Sequence, residues 1–143
     1  MLHMSTNSNF AYAIHILTFL AQADEPQSSA YIASSLNTNP VTVRKLMSVL
    51  REGGLVDTVH GSTGGAVLHK KAEDITLGDV YALVKDEHPF GLHPADPNIN
   101  CPIGRNIQGV LVRVFNETDR LIARALMKVS IQDVLAEVLE CEP

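Results

Sequence analysis

Three glycines fall within five residues at Gly61, Gly64 and Gly65, inside the stretch HGSTGGAVLHKK that runs from His60 to Lys71. Glycine at this density ends any helix and opens positive backbone angles, so the chain has to turn here. Short apolar runs lie on either side, LVDTVH before and AVLHK after, and the first alternates as a strand does. The expected element is a two-stranded hairpin with a glycine-bearing tip. Its basic end at Lys70 and Lys71 leaves two readings. Either the glycines merely turn a hairpin, or they also let the backbone approach an anion closely.

Upstream, Phe10, Ala13, Ile14, Leu17, Leu20 and Ala21 recur at helical spacing from Asn9 to Ala23, until ADEPQSS with its Pro26 stops the pattern. Ser28 or Ser29 can cap a short second helix carrying Ile32, Ala33 and Leu36, which ends in the turn-prone NTNP. Pro40 suits the first position of a third helix, with Thr38 or Asn39 as its cap and Val43, Leu46, Met47 and Leu50 as its buried stripe, and EGGL closes it. Three short helices followed by a hairpin are the order of a winged helix-turn-helix, so the fold class expected is mainly α with a small β-hairpin.

Charge gives this arrangement a direction. The chain as a whole carries a net charge of -5, which argues against a polyanionic partner until its distribution is considered. Between Thr38 and Lys71 the balance reverses, with Arg44, Lys45, Arg51, Lys70 and Lys71 set against Glu52 and Asp57. The face of the third helix opposite its apolar stripe presents Val41, Thr42, Arg44, Lys45 and Ser48. Short polar groups at a helix start reach base edges, and arginine or lysine reaches phosphate or guanine. The plain alternative is a solvated charged face. Where helix, hairpin and local positive charge coincide, the reading is a DNA interface. It places Val41, Thr42, Arg44, Lys45 and Ser48 in the major groove and Ser28, Ser29 and Tyr31 near the backbone. His60, Ser62, Thr63 and Lys70 then lie on the wing, whose turn is made by Gly61, Gly64 and Gly65.

The passage VRKLMSVLREGGLVDTVHGSTGGAVLHKKAEDITLGDVYALV resembles the Rrf2 family of bacterial transcriptional regulators, through Leu50-Arg51, Gly54-Leu55-Val56, Gly61, Gly64-Gly65, Ile75-Thr76-Leu77 and Asp79-Val80. The likeness runs from the first helix to about Val138. It implies a homodimeric winged-helix repressor on a palindromic operator of double-stranded DNA. It also implies a division into a DNA-binding unit over residues 1–85, a sensor-type loop over 86–101, and a dimerisation helix with a C-terminal helix over 102–143.

The residues after the wing support that division. TLGDVYALV reads as a short helix capped by Thr76, and EHPFGLHPADPNINCPIGRN as a loop. A long helix follows from about Pro102 to Lys128. Ile103, Ile107, Val110, Val114, Leu121 and Ala125 keep alternating four- and three-residue steps along it, interrupted only near Glu117 and Thr118. Leu111, Phe115, Ile122 and Leu126 widen this face beyond what one short neighbour covers. A partner helix from a second subunit is the expected cover, against an intramolecular packing on the first and last helices. SIQDVLAEVLE closes the chain as a final helix capped at Ser130.

Iron–sulfur members of the family, the IscR-like and NsrR-like regulators, carry three cysteines close together in the loop; here Cys101 stands alone, so a cluster is not expected. His88, His93, Asp96 and Cys101 offer mixed ligands at no compact spacing, so neither metal nor cofactor is expected. Cys101 sits just before Pro102, at or beside the N-cap of the long helix, where free amides and the positive dipole end favour a thiolate. Two readings stand: a redox-sensing thiol open to an oxidant, or an inert cap. Cys141 reads as an exposed thiol. The rivals are a protein-interaction adaptor and a metal- or small-ligand-responsive regulator. An enzyme is not expected, because no nucleophile–base–acid grouping or nucleotide fingerprint is evident, Cys101 with His93 being the nearest pair. No apolar run reaches the roughly 18 residues of a membrane span, and MLHMSTNSNF lacks a signal pattern, so no membrane partner and a cytoplasmic location are expected.

Overall fold

The computed structural model describes residues 8–85 and 90–143. The first helix, α1 (Asn9–Gln22), buries Ala13, Ile16, Leu17 and Leu20 and is the centre of the core. Phe10, Ile14 and Ala21, expected in the buried stripe, are only partly buried, and Ile16 takes their place at 0% exposure. The stripe is rotated because neighbours close on α1 from several sides: α6 and α4 as well as α2. Next come α2 (Ser29–Leu36) and α3 (Pro40–Glu52), whose buried residues Ile32, Ala33, Leu36, Val43, Leu46, Met47 and Leu50 are those the periodicity predicted.

The hairpin pairs β1 (Val56–Val59) with β2 (Gly65–Leu68) in antiparallel register, Val56 opposite Leu68 and Val59 opposite Gly65. It is shorter than LVDTVH suggested, and only Val56 of β1 is buried. The alternation fails because the ribbon projects from the core and has nothing to bury its outer residues against. A third strand-like segment was not legible: Gln27, just before α2, donates to the Ala66 carbonyl at 3.1 Å and accepts from the Ala66 N–H at 2.8 Å. This bridge ties the wing base to the start of the helix-turn-helix.

Beyond a 3₁₀ turn at Ala72–Asp74, α4 (Leu77–Val84) starts at Thr76 with a capping box: the Thr76 hydroxyl accepts from the Asp79 N–H at 3.1 Å and the Asp79 carboxylate accepts from the Thr76 N–H at 3.0 Å. The last helix, α6 (Ile131–Glu140), repeats this device with Ser130 and Asp133. The two caps lie side by side, joined by Leu77 N–H to Val129 O and Ile131 N–H to Ile75 O, both 2.8 Å. In this way α6 is seated on α1, with Ile131 and Leu135 buried.

Between them runs α5 (Pro102–Leu126), of 25 residues. Its contact within the chain is chiefly with α4, and the first helix takes α6 instead, so the expected alternative of α5 packed between α1 and α6 does not hold.

Candidate nucleic-acid interface

The helix-turn-helix is built by local chemistry. The Ser28 hydroxyl oxygen accepts from the Tyr31 N–H at 3.1 Å and so caps α2. At the other end Asn37 takes the left-handed conformation, φ 53°, which lets its own N–H and that of Thr38 return to the carbonyls of Ser34 and Ala33. The Asn39 side chain then accepts from the Val41 N–H at 2.7 Å, and Pro40 fixes the first helical angle. Three residues thus reverse the chain between α2 and α3.

On α3, Val41, Arg44, Lys45, Ser48 and Arg51 are exposed and Thr42 is half-buried, forming one continuous face. Tyr31 is exposed too, with its ring held edge-on against Phe19 at 5.7 Å. Ser29 is half-buried, and Ser28 is exposed with its oxygen engaged as the cap, leaving its hydroxyl hydrogen to donate.

At the wing tip, His60, Gly61, Ser62 and Thr63 are exposed, as is Lys70 at the base. The three glycines do different things. Gly61 has φ 112° in open space, the case the sequence reading assumed for all three. Gly64 has no positive φ, which corrects that assumption; it is glycine because a Cβ there would collide with the Val59 carbonyl oxygen, while its N–H closes the turn on Gly61 O at 3.1 Å. Gly65, φ 153°, lies where the Gln27 backbone crosses, and a side chain would strike it.

All five basic residues of the segment are exposed, together with Glu52 and Asp57. Asp57 is held by His69 at 2.7 Å across the hairpin base, a pair that sequence reasoning missed. The two residues lie 12 apart, and their diagonal placement, His69 two residues beyond the Val67 that faces Asp57, follows only from the strand register.

Away from this face, Cys101 is the N-cap of α5 as expected, half-buried. Hydrogen bonding from the backbone N–H of Gly104, and secondarily of Ile103, holds the thiol below its ordinary value, against a smaller opposing effect of burial. Cys141 is exposed. His93 and Asp96 are exposed loop residues, and His88 lies outside the described residues. Among the described residues no three His, Cys, Asp or Glu side chains gather to hold a metal ion. One thiol cannot supply the three or four thiolate-class ligands of a cluster, so the donor set present does not fit one.

Along α5 the face read as a seam is open. Ile103 is 72% exposed, Val110 46%, Val114 43% and Leu121 58%, with Ala125 exposed and Ile107 half-buried. The residue that α5 does bury was not singled out at all: Asp119, which accepts from Tyr81 of α4 and from Lys85, the C-cap of that helix. The signal for it was the break in periodicity near Glu117 and Thr118. No described helix is long and apolar enough to cross a membrane.

Comparison with known proteins agrees with this anatomy. Residues 6–137 match the family model described as Rrf2, iron-dependent transcriptional regulator. The chain is 41% identical over 130 residues to YwnA of Bacillus subtilis, covering 90% of this chain and 96% of that one. It is 27% identical over 139 residues to protein rrf2 of Nitratidesulfovibrio vulgaris, covering 96% and 90%. Among solved structures, T. potens IscR superimposes with a TM-score of 0.71 at 24% identity, covering 99% of this chain and 92% of that one, a likeness of fold.

Proposed function

The chain belongs to the Rrf2 family of DNA-binding transcriptional regulators, and on that premise we propose that it acts as a homodimeric repressor on a palindromic operator. It is a regulator and not an enzyme. In this reading residues 1–85 form the DNA-reading unit, residues 86–101 a sensor-type loop, and residues 102–143 the dimerisation helix with the closing helix. The observation that carries the reading is the exposed face of α3, Val41, Arg44, Lys45 and Ser48, beside a wing tip of His60, Ser62 and Thr63 that no core contact engages.

Each part has a task. Val41, Thr42, Arg44, Lys45 and Ser48 address base edges and phosphates in the major groove. Ser28, Ser29 and Tyr31 meet the backbone at the start of α2, and His60, Ser62, Thr63 and Lys70 follow the phosphates along the wing. Homodimerisation is supported by the apolar face of α5, exposed over much of the helix. A second copy covers Ile103, Ile107, Val110, Val114, Leu121 and Ala125 with the same residues of its own helix, in the isologous manner of a two-fold dimer.

Control by thiol oxidation at Cys101 is supported by its place at the start of that same helix and by its lowered pKa. Oxidation there puts a polar, larger group at the point where the loop enters α5.

The test is fluorescence anisotropy of the purified protein on DNA from its own upstream region, across salt, with and without mild peroxide. The expected result is sequence-selective, salt-dependent binding that peroxide abolishes in the wild type and spares in Cys101→Ser. Binding that peroxide leaves untouched would replace the thiol with a small-ligand effector. The groove of about 500 Å³ between α1 and α6, floored by Ile14, Phe19, Leu135 and Val138 and rimmed by His15 and Ser35, has room for one. No binding at any salt would replace the repressor with a protein-interaction adaptor.

A further inference from the structure

Asp119 is the one buried residue of α5, and it is bound to Tyr81 of α4 and to Lys85, the C-cap of that helix. Tyr81 donates its hydroxyl to Oδ1 at 2.5 Å, and Lys85 donates its ammonium to Oδ2 at 2.7 Å. Lys85 follows Tyr81 by four residues, and as the C-cap of α4 it donates its backbone N–H to the Tyr81 carbonyl. The Lys85 ammonium also lies 5.6 Å from the centre of the Tyr81 ring, and that ring is fixed edge-on against Phe10 of α1 at 5.4 Å. The carboxylate is therefore clamped by two donors whose own positions are set by the reading unit.

The chemistry of the clamp keeps it in one ionic form. The Lys85 hydrogen bond, followed by that of Tyr81, holds the Asp119 carboxyl below the usual carboxylate range. Burial, then Asp119 itself, pushes the Tyr81 phenol up to about 12, so it remains a donor at neutral pH. Apolar contact would tolerate sliding and rotation, whereas two charge-assisted bonds at separate oxygens specify both. An ion pair with Asp119 buried and Lys85 at the surface is a poor source of stability, and the best-attested use of a buried ionic group is to fix register.

We propose that Asp119 is the positioning residue that sets the angle between α5 and the reading unit, and through it the half-site spacing that the dimer selects in DNA. The inference rests on the homodimer proposed above. The lever is long enough: sixteen residues separate Asp119 from Ile103, about 24 Å at about 1.5 Å each. A change of about 10° at Asp119 would displace the far end by about 4 Å, comparable with the base-pair rise of about 3.4 Å.

The experiment uses the full chain and DNA carrying two half-sites, taken from a randomised pool by wild-type selection, at the preferred spacing and at one base pair more and less. Sedimentation and thermal melting accompany the binding titrations. The wild type is expected to prefer its own spacing about tenfold or more, as it would a matched over a mismatched base pair. Asp119→Ala removes both acceptor oxygens from Tyr81 and Lys85 and is expected to remain dimeric, keep its half-site preference and lose most of the spacing preference. Should that variant not fold, the apolar replacement Tyr81→Phe/Lys85→Met/Asp119→Leu removes all three polar groups together and is expected to melt no lower than wild type, with the same loss. Dimeric variants that keep the wild-type spacing ratio would overturn the inference alone. A monomeric wild type, or one indifferent to spacing, would overturn the homodimer reading and this inference with it.

Discussion

Helices α3 and α5 are both amphipathic, and they use their two faces in opposite ways. In α3 the aliphatic residues Val43, Leu46, Met47 and Leu50 are inside and the cations Arg44 and Lys45 are outside. In α5 the single buried residue is an acid, while Ile103, Val110, Val114 and Leu121 face outward. The same sequence periodicity therefore yields a finished element in one place and an unfinished one in the other. What differs is the neighbourhood: α3 is enclosed by α2, α1 and the hairpin, and α5 leans chiefly on α4. An apolar stripe is legible in a sequence, and the structure distinguishes the stripe covered by its own chain from the one its own chain leaves exposed.

The sharpest way to break the contrast is to charge the exposed stripe. In Val110→Glu/Val114→Glu the free monomer meets little cost, since both side chains face solvent. In a dimer the same change buries unpaired carboxylates, each worth several kcal/mol. The expected outcome is a folded monomer by circular dichroism and sedimentation, with operator affinity down by about 100-fold or more as the second half-site is lost. A variant that stays dimeric would place the seam elsewhere. Leu50→Ala on α3 sharpens the comparison from the other side: a fully buried leucine removed from a closed core should cost about 2–5 kcal/mol by urea denaturation, without changing the oligomeric state.

A smaller effect is expected from the outer face of α3. Arg44→Ala and Lys45→Ala remove two cations that make no contribution to the core, so the melting temperature should hardly move. Against DNA each is expected to weaken binding about tenfold and to reduce the slope of log affinity on log salt by about 0.9. An unchanged slope in the anisotropy titration would remove this face from the interface.

The difference between the two helices also explains what the sequence made legible. The α3 reading was complete because a cap, a proline and an unbroken stripe all concern neighbours within the segment. The outward stripe of α5 was legible for the same reason. Asp119 was marked only by the break in periodicity of the polar run NETDR, which reads as surface, because its partners lie 34 and 38 residues away. The Gln27–Ala66 bridge left no pattern because a backbone pair of one residue has no periodicity. The wing glycines were visible as a turn, but only packing separates Gly64, pressed against Val59, from Gly61, which needs its backbone angle.

The smallest expected effect compares the two helix starts. Asn39 closes a hydrogen bond on the Val41 N–H with its side-chain oxygen, whereas the Cys101 side chain offers only a weakly accepting sulfur and closes no cap bond. Asn39→Ala should therefore cost about 1 kcal/mol, while Cys101→Ser, which supplies an oxygen acceptor, should raise the melting temperature slightly. The backbone N–H groups of Gly104, the larger influence, and Ile103 nevertheless lower the Cys101 thiol pKa, and burial opposes them. A depressed folded-state pKa means that folding favours the thiolate. The contribution to stability is fully present above the ordinary thiol value and is lost as pH falls through the folded one. Alkylation by iodoacetamide should then follow a pH profile whose midpoint in the native protein lies below that of the same chain unfolded in urea, with Cys141→Ser used so that one thiol reports. Coincident midpoints would mean that the helix start exerts no pull on the sulfur, and the thiol reading of the α5 cap would fall while the α3 reading stood.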